Sequence, residues 1–245
     1  MNTYLGKLVI IACLLMSVFS HAKSVEQASA MQTHTFSYSI VKLLPDNTTA
    51  LNTLKRKLMP ELIQQGAIPY ATWVFAAKPV DAPFAGLAED EIGLMLAWPN
   101  DTLPQVRELN ETLQSISTID SISTRLFKAI YLPAGLNFPK EAGFYVHREE
   151  KYGLADVNDA VRLSHEAWKT WEPHWGTMVI GLFRELGGAT ADNNLNRIVW
   201  YPSYEAWMET RNFAEEPESA IRFRERMALL IPGSGIAIAT DRALP

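Results

Sequence analysis

The sequence predicts an α+β protein made of two tandem β-α-β-β-α-β units, and three observations predict it. Apolar residues switch between alternating and helical spacing in the same order twice. Each unit's first helix carries a proline near its end and stops at glycine, Pro60 with Gly66 and Pro173 with Gly176. Each third strand ends in an aromatic, then proline, then a helix-capping residue type, as Trp98-Pro99-Asn100 and Tyr201-Pro202-Ser203. The two units lie roughly 100 residues apart, an ordinary domain size.

Residues 1–22 read as a secretory signal. Lys7 supplies the positive charge. Leu8 to Ser20 is an apolar run of about 13 residues, shorter than the roughly 20 a spanning helix needs. Ser20 and Ala22 place small residues at the cleavage positions, so cleavage is expected after Ala22. Residues 23–32 are a polar, flexible lead-in.

The first unit covers residues 33–133. Thr35–Leu43 alternates as a strand, and Leu51, Leu54, Leu58 and Leu62 mark a helix ended by Gly66. Ala71–Ala77 and Ile92–Trp98 are strands across a Pro/Ala-rich loop. Leu103 to Ile116 is a second helix, and Leu126–Leu132 closes the unit. A Gly/Pro-rich linker, 134–142, leads to the second unit, 143–245. Phe144–Glu149 is its first strand, and Val157, Val161, Ser164, Trp168, Trp171 and Trp175 stripe its first helix. Strands follow at Met178–Arg184 and Arg197–Tyr201. Helical sequence then runs from Tyr204 to Leu230, interrupted near Pro217, with a last strand at Gly235–Asp241. The Glu and Arg residues between Glu205 and Arg226 read as a solvated helix face.

The chain has 245 residues, a net charge of −5 and 48% hydrophobic residues. This balance is globular and argues against nucleic acid or an anionic membrane as partner. The one cysteine, Cys13, falls in the signal, so the mature chain has no disulfide and no thiolate chemistry. The expected product is a periplasmic or secreted protein, detached from the membrane after cleavage, handling a small molecule.

A ferredoxin-like β-α-β-β-α-β unit covers one sheet face with its helices and leaves the other bare. A tandem chain can pair its own halves into a barrel-like core; pairing with a second copy, a homo-oligomer, is the alternative. The space between the facing sheets is the natural pocket.

Strand alternation puts Phe144, Val146 and Arg148 under the helices and aims Tyr145, His147 and Glu149 into that pocket. Arg197 and Tyr201 share a face of their own strand. Together His147, Glu149, Arg197 and Tyr201 would combine a base, its orienting carboxylate and an anion-binding guanidinium. The competing reading is a polar strand end with ion pairs. Trp168 and Trp171 are core or the wall of a pocket for a flat ligand, with Tyr145 and Trp200 as further ligand contacts. His165 and His174 are the histidines placed to ligate haem iron. His147-x-Glu149 offers two metal ligands without a third, so no metal site is assigned.

The run Ile198-Val199-Trp200-Tyr201-Pro202-Ser203-Tyr204, followed by Arg211 and Pro217, resembles the NIPSNAP-type segment, where a Trp-containing strand enters a Ser-started helix bearing arginines. Both halves resemble the dimeric α+β barrel superfamily, which includes NIPSNAP-like proteins, small cofactor-independent monooxygenases and the haem-binding chlorite dismutase group. The likeness spans roughly residues 143–240 and is fainter over 33–133. Tyr201 directly after Trp200, and Trp207 where the pattern often has arginine, depart from it. The resemblance implies a dimeric-α+β-barrel-type architecture but no single activity. Four readings stay open: an exported protein binding a small, partly apolar molecule with no cofactor, a cofactor-independent oxygenase or isomerase using His147 with Arg197 or Tyr201, a haem protein, and an interaction module.

Overall fold

The computed structural model describes residues 30–44, 50–77, 79, 82, 85–138, 142–187 and 193–243. The expected signal, Cys13 and most of the lead-in lie outside the described residues. The described chain opens with a helical turn at residues 30–33, ahead of the expected start, and Ala30 is buried.

Nine strands follow: β1 His34–Leu43, β2 Ile68–Phe75, β3 Ala85–Gly86, β4 Glu91–Pro99, β5 Ile119–Tyr131, β6 Phe144–Lys151, β7 Met178–Leu186, β8 Asn194–Tyr201 and β9 Ile236–Ala243. Eight of them close in the order β2-β4-β1-β5-β7-β8-β6-β9, and β9 returns to β2. Every pairing in that ring is antiparallel; the two-residue β3 adds to β9 in parallel. Each half contributes four neighbouring strands in equivalent order, so the halves pair through β5–β7 and β2–β9. Closure within one chain removes the edges a half-sheet would otherwise present to another copy.

The first helix, α1, begins as Ala50–Thr53, passes through a π-helical stretch at Leu54–Leu58 and continues as Met59–Gln64. Its Met59 N–H bonds the Leu54 carbonyl. Pro60 follows immediately and has no N–H to donate, consistent with a widened turn at this point. The other helices are α2 Val106–Gln114, α3 Val157–Trp175, α4 Tyr204–Glu209 and α5 Pro217–Ala228. Gly176, at φ 59°, ends α3 in the left-handed conformation that glycine adopts without steric cost.

Several expected boundaries move. The strand expected at Leu126–Leu132 starts at Ile119; Asp120, Ser121 and Ser123 weakened its apolar signal, but β1 pairs with this segment. Ser203 caps α4, accepting from Ala206 N at 3.2 Å. Asn100 caps nothing: it bonds Thr35, Lys128 and Gln32, and α2 starts six residues later, where Gln105 N–H donates to Glu108 at 3.2 Å. The helical run is interrupted ahead of Pro217, as expected, at residues 210–216, and Pro217 opens the second helix at a position whose N–H is unneeded, with Glu216 accepting from Ser219 N.

Three layers result. Inside the barrel lie Phe36, Tyr38, Trp73, Phe127, Tyr145 and Phe183; Phe36 meets Phe183, and Trp73 meets Tyr38 and Tyr145, edge to face. Leucines of α1 and α2 pack on the outside of the first half-sheet. Aromatics of α3, α4 and α5 pack on the outside of the second.

Candidate ligand-binding site

The space between the facing sheets, expected to be the pocket, is occupied by aromatic side chains. His147 is fully buried among them, its ring 5.3 Å from Tyr38 and 4.4 Å from Trp73. Neither ring nitrogen has a hydrogen-bond partner, and burial, aided by the Arg125 charge, pushes its pKa down to about 3. Glu149 does not orient it. That carboxylate is held by both terminal nitrogens of Arg125, the Nη1–Oε2 bond measuring 2.8 Å.

The expected set of four is therefore divided by the sheet. In the β6–β8 register Ile198 faces His147, whereas Arg148 faces Arg197 and Phe144 faces Tyr201. Paired residues point to the same side, so Arg197 and Tyr201 lie with Arg148 under the helices, and His147 and Glu149 lie inside the barrel. Tyr145 and Trp200 share the interior side as well; Trp200 Nε1 donates to the Ala142 carbonyl at 3.1 Å.

A cavity of about 260 Å³ lies on the helix side. Its floor is Val146 and Arg148 from β6 with Arg197, Val199 and Tyr201 from β8. Trp168 and Trp171 of α3 form one wall, being one helical turn apart on the buried stripe. Phe223, Arg226 and Met227 of α5 form the other, and Trp171 meets Phe223 edge-on at 5.8 Å. Trp207, Arg211 and Phe213 close the end at α4 and the connection after it. Phe213 and Met227 are 40% and 46% exposed, which marks the mouth.

Four guanidinium groups thus border one cavity. Arg148 and Arg197 sit directly opposite each other, an arrangement of like charges that destabilises a sheet. One carboxylate answers them. Glu150, 4% exposed, lies 3.6 Å from Arg197 and 3.4 Å from Arg226, and accepts from the Tyr152 hydroxyl at 2.6 Å. Burial and the charges of Arg197 and Arg211 lower the Arg148 pKa from its usual value. Burial raises the Tyr201 hydroxyl against the opposing pull of these arginines.

Arg226, expected on a solvated helix face, is 4% exposed because α5 turns it toward Ser164 of α3 and Glu150. Arg148, Arg211 and Arg226 carried no site assignment from the sequence. The available signal was Arg148 continuing the apolar face of Phe144 and Val146.

The haem implied by the family resemblance meets a poor donor set here. His165 packs on Tyr131 and Trp168, with ring separations of 4.7 and 5.3 Å, and does not line the cavity. His174 is exposed beside Trp175. Among the described residues no imidazole borders the cavity, so an imidazole-ligated haem does not fit these lining residues. Among the described residues no group of three or more His, Cys, Asp or Glu could hold a metal ion, and no helix is long and apolar enough to cross a membrane.

Comparison with solved structures shows the fold. A candidate monooxygenase from Lactobacillus acidophilus aligns over 86% of this chain and 93% of its own, with a TM-score of 0.57 and 8% identity. An anthrone oxidase-like protein covers 88% and 93% at TM-score 0.55 and 9% identity. A candidate chlorite dismutase covers 86% and 96% at TM-score 0.54 and 14% identity. The present chain shares their fold, a closed eight-stranded antiparallel barrel with helices outside. No protein-family model matches the chain. No curated protein sequence matches it either.

Proposed function

We propose that this protein binds a small, partly apolar molecule in the cavity between its second half-sheet and α3, α4 and α5. The carrying observation is the cavity itself, walled by Trp168, Trp171, Trp207 and Phe223 and opening past Phe213 and Met227. Its volume lies near the lower end of the ~300–1,000 Å³ typical of small-molecule sites, which suits one or two rings. Titration with one- and two-ring aromatics should quench tryptophan fluorescence saturably and raise the melting temperature. Met227→Trp, a substitution at the exposed mouth, should abolish both responses. Equal responses in that variant would place the ligand elsewhere.

A second reading, a cofactor-independent oxygenase or isomerase acting on the same ligand, draws on the monooxygenase names of the fold neighbours. It cannot use His147 together with Arg197 or Tyr201, because the sheet separates them; Tyr201 is the hydroxyl that borders the cavity. Oxygen uptake on adding a bound ligand, lost in Tyr201→Phe, would support it, and binding without turnover would remove it.

The proposal includes export, on the strength of Lys7, the run Leu8–Ser20 and Ala22. N-terminal sequencing of protein recovered outside the cytoplasm should begin at Lys23; an intact Met1 overturns it. It also includes a NIPSNAP-like second half, on the Ile198–Tyr204 run with Arg211.

A further inference from the structure

We propose that the ligand of this cavity is an aromatic carboxylate, whose anionic group is received by Arg148 and Arg211. This rests on the binding site proposed above and deepens it by naming the ligand class.

The four arginines are not equivalent. Arg197 and Arg226 share Glu150, and Arg226 also reaches the Ser164 hydroxyl at 3.3 Å. These two hold α5 and β8 to the end of β6. Arg148 has no carboxylate within ion-pair distance among the described residues. Arg211 bonds only the neighbouring Thr210 hydroxyl, at 2.8 and 3.2 Å, and lies over the Trp207 ring at 5.1 Å. Four cations against one carboxylate leave a strongly positive cavity, and the two uncommitted charges both face it. Arg148 is half-buried, where a charge without a counter-ion is costly, and Arg211 is exposed at the mouth, where an entering anion can reach it. A bound anion offsets that cost, and a guanidinium fork matches the two oxygens of a carboxylate.

Two further donors are unmatched. Trp171 Nε1 and Arg226 Nε are buried without a hydrogen-bond partner among the described residues, and both residues line the cavity. Buried donors are ordinarily paired, so an acceptor-bearing ligand fits the lining better than a hydrocarbon. The flat faces of Trp168, Trp171 and Trp207 suit the aromatic part.

The test is isothermal titration of the protein with naphthalene-2-carboxylate and with its neutral isostere, naphthalene-2-carboxamide. The acid should bind at least tenfold more tightly than the amide, with affinity falling as salt rises. Arg148→Gln and Arg211→Gln should each weaken the acid about tenfold and the amide far less, and Arg148→Lys should restore part of the loss. If Arg148→Gln fails to fold, Arg211→Gln at the mouth decides the matter alone. Equal binding of acid and amide, or an unchanged acid affinity in Arg211→Gln, overturns the carboxylate assignment while the binding site stands. Binding of neither compound, in protein whose melting temperature no aromatic shifts, overturns both.

Discussion

In the first half, the layer between sheet and helices holds Leu54, Leu58, Leu62, Leu94, Leu96 and Leu113; in the second, the same layer holds Arg148, Arg197, Arg226 and Glu150 among Trp168, Trp171 and Trp207. The backbone arrangement is shared, because each half supplies the same four-strand order and two layers of helix contact. The side chains are not. The first-half layer, mostly leucine with Met59, Ala67 and Trp98, is held by apolar burial. A layer of aromatics and arginines cannot close as tightly, since the guanidinium groups repel one another and demand counter-charge. Both halves border a cavity of about 260 Å³; the one in the second half is ringed by four guanidinium groups, whereas the one beside α1 has Lys55 and Arg242 at an otherwise largely apolar lining.

The contrast is sharpest at Glu150. Replacing it by glutamine strips two buried arginines of their shared carboxylate, and the variant should lose about 3–5 kcal/mol of stability in a urea melt. An unchanged melt would show that these arginines are solvated and that the two layers are energetically alike. In the first half, Leu62→Ala should cost about 2–5 kcal/mol through the lost transfer energy and the hole left behind. Aromatic ligand affinity should stay as it was; a parallel loss of binding would couple the halves that the contrast separates.

Acid stability probes the barrel interior shared by both. His147 has its pKa depressed from the usual 6.5 to about 3, so between those values the unfolded chain takes up a proton that the folded chain refuses. Its contribution is complete above about pH 6.5 and is lost as the pH falls toward 3. His147→Gln should flatten that part of the stability curve relative to the parent protein, measured by chemical denaturation at stepped pH; identical slopes would mean that the imidazole titrates normally. The smallest effect is expected at Arg148→Met. Removing one of two opposed cations should leave stability within about 1 kcal/mol of the parent, or raise it. A large loss would identify Arg148 as part of the scaffold.

Much of the architecture was legible. The repeated strand and helix order, the buried stripe of Trp168 and Trp171, and the alternation separating Phe144 and Val146 from Tyr145 and His147 all agree with the structure. The site was half legible. Alternation sorts the residues of one strand correctly but says nothing of how two strands are aligned, and shifting the pairing by one residue exchanges the faces. That choice sent Arg197 and Tyr201 to the wrong side of His147. Arg226 looked like a solvent-facing charge because helix sequence shows which residues share a stripe, not which neighbour covers it; Arg211 is exposed, as expected.

The amino-acid order by itself determined the local elements: period-2 and helical spacing, the Ser203 cap, the glycine stop at Gly176 and the tandem plan built from them. Backbone preferences and hydrophobic patterning act over a few residues, so they are readable along the chain. Only the tertiary structure decided that β9 meets β2 to close the barrel, that aromatic rings fill its interior, and that four arginines from β6, β8, α5 and the α4–α5 connection border one cavity, two of them sharing the Glu150 carboxylate. Those features depend on register and on contacts between distant segments, where the energy belongs to the assembled neighbours and to no stretch of sequence alone.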